Sequence, residues 1–159
     1  MSIEPQGPLN PLDPRLGWIN APVHVHDLRG HPTLYIFFNR HQPHAQAQWQ
    51  GLMEKLEPHI ERGLMVIGIH VPIVREDLDS QVIERFAREA GIPYPIAIDD
   101  GRRRDGIAVA HEIAELPTFL MLDKRGTLHD SIVRPDNHDV LDEALEAWLG
   151  EDAGGRTLH

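Results

Sequence analysis

Two continuous apolar runs, separated by a segment with helical periodicity, dominate the hydrophobic pattern of this chain. The first run covers residues 33–38 and the second covers residues 64–69. Runs that are apolar on both faces predict central strands of a sheet that is covered on both sides. Residues 43–61 carry apolar side chains at helical spacing, and Gly63 ends that pattern. A strand, a helix and a second strand of these lengths predict a right-handed parallel crossover.

The rest of the pattern predicts further strands and helices in an alternating order. They are a strand over residues 22–28, a helix over 76–90, a strand over 94–98, a proline-led hairpin over 116–134 and a last helix capped by Asp136 or Asn137. We therefore predict one α/β domain over residues 21–150. Residues 1–20 are predicted to be an extended arm and residues 151–159 a flexible tail.

Composition narrows the range of partners. The 159 residues include 15 Lys and Arg against 25 Asp and Glu, and the formal net charge of −10 opposes binding to nucleic acid phosphates. No apolar run approaches the length that crosses a membrane, and residues 1–20 contain no apolar signal segment. We therefore expect no nucleic acid or membrane partner, and we expect a cytoplasmic location.

The turn between the first apolar strand and its helix is the candidate site. Its sequence is Arg40-His41-Gln42-Pro43-His44, which places two histidines three residues apart where the helix is predicted to start. Backbone N–H groups and the positive end of the helix dipole point outward at such a position. The chain contains no cysteine, which excludes disulfides, thiolate metal ligands and cysteine nucleophiles.

Two motifs resemble those of the TlpA-type, or redoxin, proteins of the thioredoxin-like superfamily. Residues 25–34, Val-His-Asp-Leu-Arg-Gly-His-Pro-Thr-Leu, resemble the segment that leads into the first central strand of that family. Residues 116–119, Leu-Pro-Thr-Phe, with Asp123 and Gly126, resemble its cis-proline strand and turn. The resemblance covers residues 21–149. It implies a thioredoxin-like fold, in which helices flank a central mixed β-sheet and a cis-proline precedes an antiparallel hairpin.

The same resemblance implies a Trp-Cys-x-x-Cys motif at the strand-to-helix turn, and this chain departs from the family there. His41 and His44 stand at the positions of the two cysteines, with Gln42 and Pro43 between them. Thiol-disulfide exchange needs a thiolate that attacks a disulfide sulfur, and imidazole cannot replace it. We therefore interpret the motif as degenerate and expect no catalytic residues for the thiol-disulfide activity of the family.

A binding surface can persist without sulfur. In the resembled family, the residue before the cis-proline presents its backbone to an extended peptide. Here this implies a binding groove formed by Arg40, His41, His44, Leu116 and Pro117. The leading hypothesis is a non-catalytic module that binds a peptide or protein in a redox- or stress-related setting and has no cofactor.

Alternatives to this hypothesis stay open. The positive helix end favours neutral imidazole, the form that binds metal, and His41 and His44 could form a divalent metal site with His70 as a third ligand. His41 could instead act as a general acid or base, although no nucleophile is identifiable beside it. Resemblance alone would assign the chain to the thiol-disulfide oxidoreductases.

Overall fold

The computed structural model describes residues 17–99, 108 and 112–157. The strands of these residues are β1 Gly17–Ile19, β2 Thr33–Phe38, β3 Met65–His70, β4 Ile96–Ile98, β5 Thr118–Leu122 and β6 Leu128–Val133. The helices are α1 Ala45–Glu61, α2 Ser80–Ala90 and α3 His138–Thr157, with short 3₁₀ helices at Val25–Leu28 and Arg75–Leu78. No helix in this part of the chain is long and apolar enough to cross a membrane.

The strands form one mixed sheet in the order β1-β4-β3-β2-β5-β6. β2 and β3 are parallel, with Thr33 opposite Met65 and Phe38 opposite His70, and α1 connects them as the predicted crossover. β4 pairs with β3 in parallel, whereas β1, β5 and β6 join in antiparallel pairs. The prediction of an α/β fold with a central mixed sheet flanked by helices is confirmed.

Every side chain of β2 is buried because this strand lies in the middle of the sheet. Successive side chains alternate between two apolar clusters: Ile36 and Phe38 belong to one, and Tyr35 and Phe37 belong to the other. The first cluster also contains side chains of all three helices. Phe38 meets Trp49 of α1 edge to face, with ring centroids 4.9 Å apart, so the strand that leads to the candidate site is fixed by packing.

The prediction of a strand over residues 22–28 is wrong. Residues Val25–Leu28 form a 3₁₀ helix instead. The carboxylate of Asp27 accepts a hydrogen bond from the backbone N–H of His24 at 3.1 Å, and Asp27 N–H donates to the carbonyl of His24 at 2.9 Å. Such local contacts compete with strand pairing, which alternation of apolar and polar residues cannot reveal.

The predicted ends of the domain also need correction. β1 lies within the segment predicted as an extended arm, and Gly17 pairs with Ile98 at the edge of the sheet. α3 continues to Thr157, past the predicted start of a tail at residue 151, because each glycine within a helix costs only about 1 kcal/mol and does not end it alone. Residues 1–16 and 158–159 of the predicted arm and tail lie outside the described residues.

Candidate functional site

The site turn, defined as residues 39–44, joins the carboxyl end of β2 to α1, and Asn39 holds it in place. The buried Asn39 side chain donates from Nδ2 to the Val71 carbonyl at 2.7 Å and to Oδ2 of Asp77 at 3.0 Å. Its Oδ1 accepts a hydrogen bond from the backbone N–H of His41 at 2.7 Å. One amide side chain therefore links the turn to the loop that follows β3.

The start of α1 differs from the prediction. The helix begins at Ala45, two residues after Pro43, which was expected in its first turn. His44 precedes it with φ 57° and ψ 33°, a left-handed conformation, and its side chain makes no capping hydrogen bond. His41 lies in the turn before the helix, so the positive helix end acts on His44 more directly than on His41.

Asp77 is a buried carboxylate at the centre of this region. Its Oδ2 accepts hydrogen bonds from the backbone N–H groups of Ile73 at 2.9 Å and Val74 at 3.2 Å, in addition to Asn39. Its Oδ1 accepts a hydrogen bond from Nε of Arg40 at 2.7 Å. Burial alone would raise the pKa of Asp77, but these hydrogen bonds outweigh burial and hold the pKa well below its usual range.

The sequence pattern does not single out Asp77. It lies in the 3₁₀ helix Arg75–Leu78, where Glu76, Asp77 and Asp79 form an acidic segment typical of the solvated start of a helix. Only the fold turns this one carboxylate inward, toward the site turn. A buried acid of this kind has no spacing signature because its partners are far away along the chain.

His70, at the carboxyl end of β3, binds the backbone of the site turn. Its side chain is fully buried, and its Nε2 accepts a hydrogen bond from the backbone N–H of Arg40 at 3.0 Å. The ring meets Phe38 edge to face, with centroids 5.1 Å apart. Burial lowers the pKa of His70 to about 4, against the opposing effect of the Asp77 carboxylate. The imidazole is therefore neutral at pH 7.

The structure does not form the predicted metal site of His41, His44 and His70. His70 directs Nε2 into a hydrogen bond with the turn backbone, whereas His41 and His44 are exposed. The Nε2 atom of His41 lies 3.8 Å from Oδ1 of Asp77. Within the described residues, no group of three or more His, Asp and Glu side chains could hold a metal ion. The cause is the folding of His70 into the core as a structural acceptor.

A groove of about 390 Å³ lies beside the Leu116–Pro117 peptide bond, which is cis. Leu116 and Pro117 form one wall of this cis-proline groove, and Gln42 and Pro43 of the site turn form another. Apolar side chains that also line it include Trp49. The lining thus combines apolar side chains with the amides of Gln42 and Gln48 and with the ionisable side chains of Arg134, Asp136 and His138.

The groove does not unite all five residues predicted to form it. Leu116 and Pro117 line it, but Arg40 and His44 line a separate pocket toward α2, and His41 lines neither of these two cavities. Arg40 is drawn away from the cis-proline side because its guanidinium pairs with the buried carboxylate of Asp77. The site turn therefore separates the two cavities.

Three polar contacts fix the position of the groove wall that contains Pro117. The carbonyl of Pro117 accepts a hydrogen bond from the backbone N–H of Arg134 at 2.9 Å, at the end of β6. Nη1 of Arg134 pairs with Oε1 of Glu115 at 3.2 Å, and Oγ1 of Thr118 donates to the Glu115 carbonyl at 2.7 Å. This wall is consequently braced by the hairpin of β5 and β6.

Comparison with known proteins identifies the family. The profile of the AhpC/TSA family matches residues 15–131. This chain belongs to the AhpC/TSA family. Its curated relatives include the thiol-disulfide oxidoreductase YkuV of Bacillus subtilis, 26% identical over 144 residues that cover 91% of this chain and 95% of YkuV. The thiol-disulfide oxidoreductase ResA of Bacillus thuringiensis is 21% identical over 124 residues, which cover 78% of this chain and 67% of ResA.

Solved structures related to this AhpC/TSA chain have the thioredoxin-like fold. A thioredoxin-like protein in its oxidized form, solved in solution, superposes with a TM-score of 0.76 at 26% identity, over 94% of this chain and 99% of the other. A thiol-disulfide isomerase from Corynebacterium glutamicum gives a TM-score of 0.70 at 23% identity, over 89% and 95% of the two chains. The resemblance to redoxin proteins and the thioredoxin-like fold are thus confirmed.

This AhpC/TSA chain differs in one chemical respect from what the names of its relatives describe. A thiol-disulfide oxidoreductase exchanges thiols and disulfides, and that reaction proceeds through a thiolate. The 159 residues contain no cysteine. The chain therefore has the fold of its oxidoreductase relatives without any side chain that can perform their exchange reaction.

Proposed function

We propose that this chain is a non-catalytic thioredoxin-like module that binds a peptide or protein in a redox- or stress-related setting. The observation that carries the proposal is the complete absence of cysteine from a chain of the AhpC/TSA family. Without a thiolate, this chain cannot perform the thiol-disulfide exchange of its oxidoreductase relatives. What the fold can still offer a polypeptide is its surface.

In this proposal, the site turn is a degenerate form of the family's active-site motif, and His41 and His44 occupy the positions of its two cysteines. The support is their place between the carboxyl end of β2 and the start of α1. Both side chains are exposed, and Gln42 and Pro43 between them face the cis-proline groove. The turn thus contributes to a binding wall rather than to a reaction.

The cis-proline groove is the proposed binding surface. A segment of extended polypeptide can lie along Leu116 and pair with its backbone by strand addition, while side chains enter the apolar floor near Trp49. Leu116 and Pro117 are partly exposed, so a polypeptide in the groove can contact them. The formal charge of −10 favours a polypeptide partner over a nucleic acid.

A capture experiment tests the groove. The immobilised chain, its Leu116→Asp variant and its Leu128→Asp variant are incubated with lysate, and bound proteins are quantified by mass spectrometry. Leu128 is a matched control because it is an exposed leucine on β6 that does not line the groove. We expect Leu116→Asp to lose at least one partner that the wild type and Leu128→Asp both retain, since a bound apolar ligand would strip the new carboxylate of its hydration without pairing it.

Equal capture of every protein by all three forms would contradict the proposed groove. Circular dichroism melting of each variant shows whether a loss reflects unfolding. If Leu116→Asp unfolds, Leu116→Ala takes its place, because this truncation adds no buried charge. Partner loss by the folded alanine variant supports the groove in the same way.

A cytoplasmic location and the lack of a membrane partner belong to the same proposal. Fractionation of cells that express the natural gene with a carboxyl-terminal tag tests this location. Recovery of the protein in a periplasmic, secreted or membrane fraction would contradict it.

A further inference from the structure

A second pocket lies on the other side of the site turn from the cis-proline groove. It has a volume of about 420 Å³ and is formed between the start of α1 and one face of α2. Basic side chains contribute three of its wall residues, Arg40, His44 and Arg85. The pocket and the groove share Ala45 as a lining residue. A single extended ligand that crosses the site turn can therefore reach both cavities.

Arg40 is held in one orientation within this pocket. Its Nε donates to Oδ1 of the buried Asp77 at 2.7 Å, its backbone N–H donates to Nε2 of His70, and its side chain is 21% exposed. Within the described residues, neither terminal nitrogen of its guanidinium has a hydrogen-bond partner. A guanidinium fixed on its Nε side loses little further freedom when its terminal nitrogens bind an oxyanion.

Arg85 supplies a second cation to the same pocket. It is exposed on α2, and no carboxylate of the described residues forms an ion pair with it. One acid, Glu89, also lines the pocket, and its Oε1 accepts a hydrogen bond from Nε2 of Gln46 at 3.2 Å. Two guanidinium groups on the wall of one pocket contrast with the formal charge of −10 of the chain. This local arrangement matches an oxyanion ligand.

We propose that the pocket binds the carboxylate of an Asp or Glu side chain of the polypeptide that occupies the cis-proline groove. The inference rests on the proposed function and specifies the chemistry of the partner. The partner carries an acidic residue next to the segment that lies along Leu116, and the carboxylate of that residue binds Arg40 and Arg85, which both line the pocket. Binding is consequently selective for acidic over uncharged polypeptides.

Selection from a displayed library of random peptides tests this assignment. The full chain is the target, and elution is followed by sequencing of the enriched peptides. The tightest peptide is then measured by fluorescence anisotropy against the wild type, Arg85→Gln and Arg88→Gln, together with a second peptide in which its acids are amidated to Asn or Gln. Arg88 is a matched control because it is an exposed arginine of α2 that does not line the pocket.

We expect enrichment of Asp and Glu, and a dissociation constant for the acidic peptide that is at least about tenfold higher with Arg85→Gln than with Arg88→Gln. The amidated peptide should bind both variants equally. Enriched peptides without acidic residues would overturn the assignment of the pocket. So would an equal loss of affinity for the acidic and the amidated peptide with Arg85→Gln. The variants avoid Arg40 because its removal leaves the buried Asp77 unpaired and can unfold the chain.

Two further comparisons distinguish the proposed groove from the proposed pocket ligand, and a peptide carboxylate from a free anion. Peptides that bind the wild type but not Leu116→Asp, and that carry no acid preference, retain the proposed function and overturn the pocket assignment. Failure to enrich any peptide that depends on Leu116 overturns both. Inorganic phosphate is then titrated against the wild type and the acidic peptide complex. Phosphate that binds through Arg85 without displacing the acidic peptide assigns the pocket to a free anion and overturns the proposal.

Discussion

The guanidinium of Arg40 and the carboxylate of Asp77 form an ion pair with Nε and Oδ1 2.7 Å apart, and the Asp77 side chain is fully buried. The two residues come from segments separated by α1 and β3, so their contact exists only in the folded chain. Asn39 donates to the other oxygen of the same carboxylate, so two residues of the site turn bind Asp77. The turn is therefore held by a buried charge rather than by a disulfide.

Replacement of Asp77 by Asn should destabilise the protein strongly. Arg40 would lose its ionic partner, and one of the hydrogen bonds accepted by Oδ1 and Oδ2 would be replaced by a clash between donors. Removing one partner of a buried ion pair lowers the free energy of unfolding by about 3–5 kcal/mol. Urea denaturation measures the change. Glu84→Gln, an exposed substitution on α2, is the control, and an equal effect of both substitutions would contradict the role of Asp77.

Stability should fall as the pH is lowered from about 6.5 to about 4. The folded state holds His70 with a pKa lowered to about 4 by burial, whereas the unfolded chain has the ordinary pKa of 6.5. The unfolded state therefore binds more protons in this window, and the free energy of unfolding decreases by about 1.4 kcal/mol per pH unit from this residue. Asp77, with its depressed pKa, adds its own loss only at lower pH.

The His70→Gln variant separates this effect from the other titrating groups. A glutamine can still offer a carbonyl oxygen to the Arg40 N–H, but it does not titrate. Urea denaturation at several values of pH should give a shallower slope for His70→Gln than for the wild type. His31→Gln, at an exposed histidine, should keep the slope of the wild type. Identical slopes in all three proteins would show that His70 does not titrate as a buried group.

A second buried histidine, His59, lies at the contact between α1 and α3, and we expect the loss of its partner to lower stability. His59 is fully buried, and its Nε2 lies 2.8 Å from Oδ1 of Asp142. Within the described residues, its Nδ1 has no hydrogen-bond partner. Asp142→Ala would leave the whole ring unpaired and should lower the free energy of unfolding by about 1–3 kcal/mol. Glu143→Ala, exposed on the same helix, should change it far less, and thermal melting of both variants checks the difference.

The chain should show no disulfide reductase activity in an insulin-reduction assay with dithiothreitol. The reason is that no side chain can form the mixed disulfide through which the reaction passes. The rate should equal that of a blank without protein and that of heat-unfolded protein at the same concentration. A thioredoxin assayed in parallel is the positive control. Turnover above the blank by the cysteine-free chain would contradict the proposed loss of activity.

Much of the fold could be predicted because it rests on local and periodic patterns. The apolar run that became β2 lies in the middle of the sheet with every side chain buried. The apolar side chains at helical spacing over residues 43–61 correctly indicated a buried face of α1, which contains Trp49, Leu52 and Leu56. The cap of the last helix is local as well, since Oδ1 of Asn137 accepts hydrogen bonds from the first helical N–H groups. Periodicity and capping act over a few residues, so one sequence displays them.

The candidate site could be predicted only in part. The hydrophobic pattern located the site turn, and the resemblance to redoxin proteins indicated the Leu116–Pro117 wall. The groove implied by that resemblance, however, placed Arg40 and His44 on the same side as Pro117. One alternative also offered His70 as a third metal ligand, although that ring is a buried acceptor. Both errors concern the direction in which a side chain points, which depends on partners that are distant along the chain.

The amino-acid sequence by itself determined the chemistry that this protein lacks. Without cysteine there is no thiolate in any conformation, so the absence of thiol-disulfide exchange does not depend on the fold. The tertiary structure decided which polar groups meet. Only folding brings Asp77 to Arg40 and Asn39, because a carboxylate is buried where several distant donors converge to offset the loss of its hydration. That convergence divides the surface around the site turn into a cis-proline groove and a basic pocket.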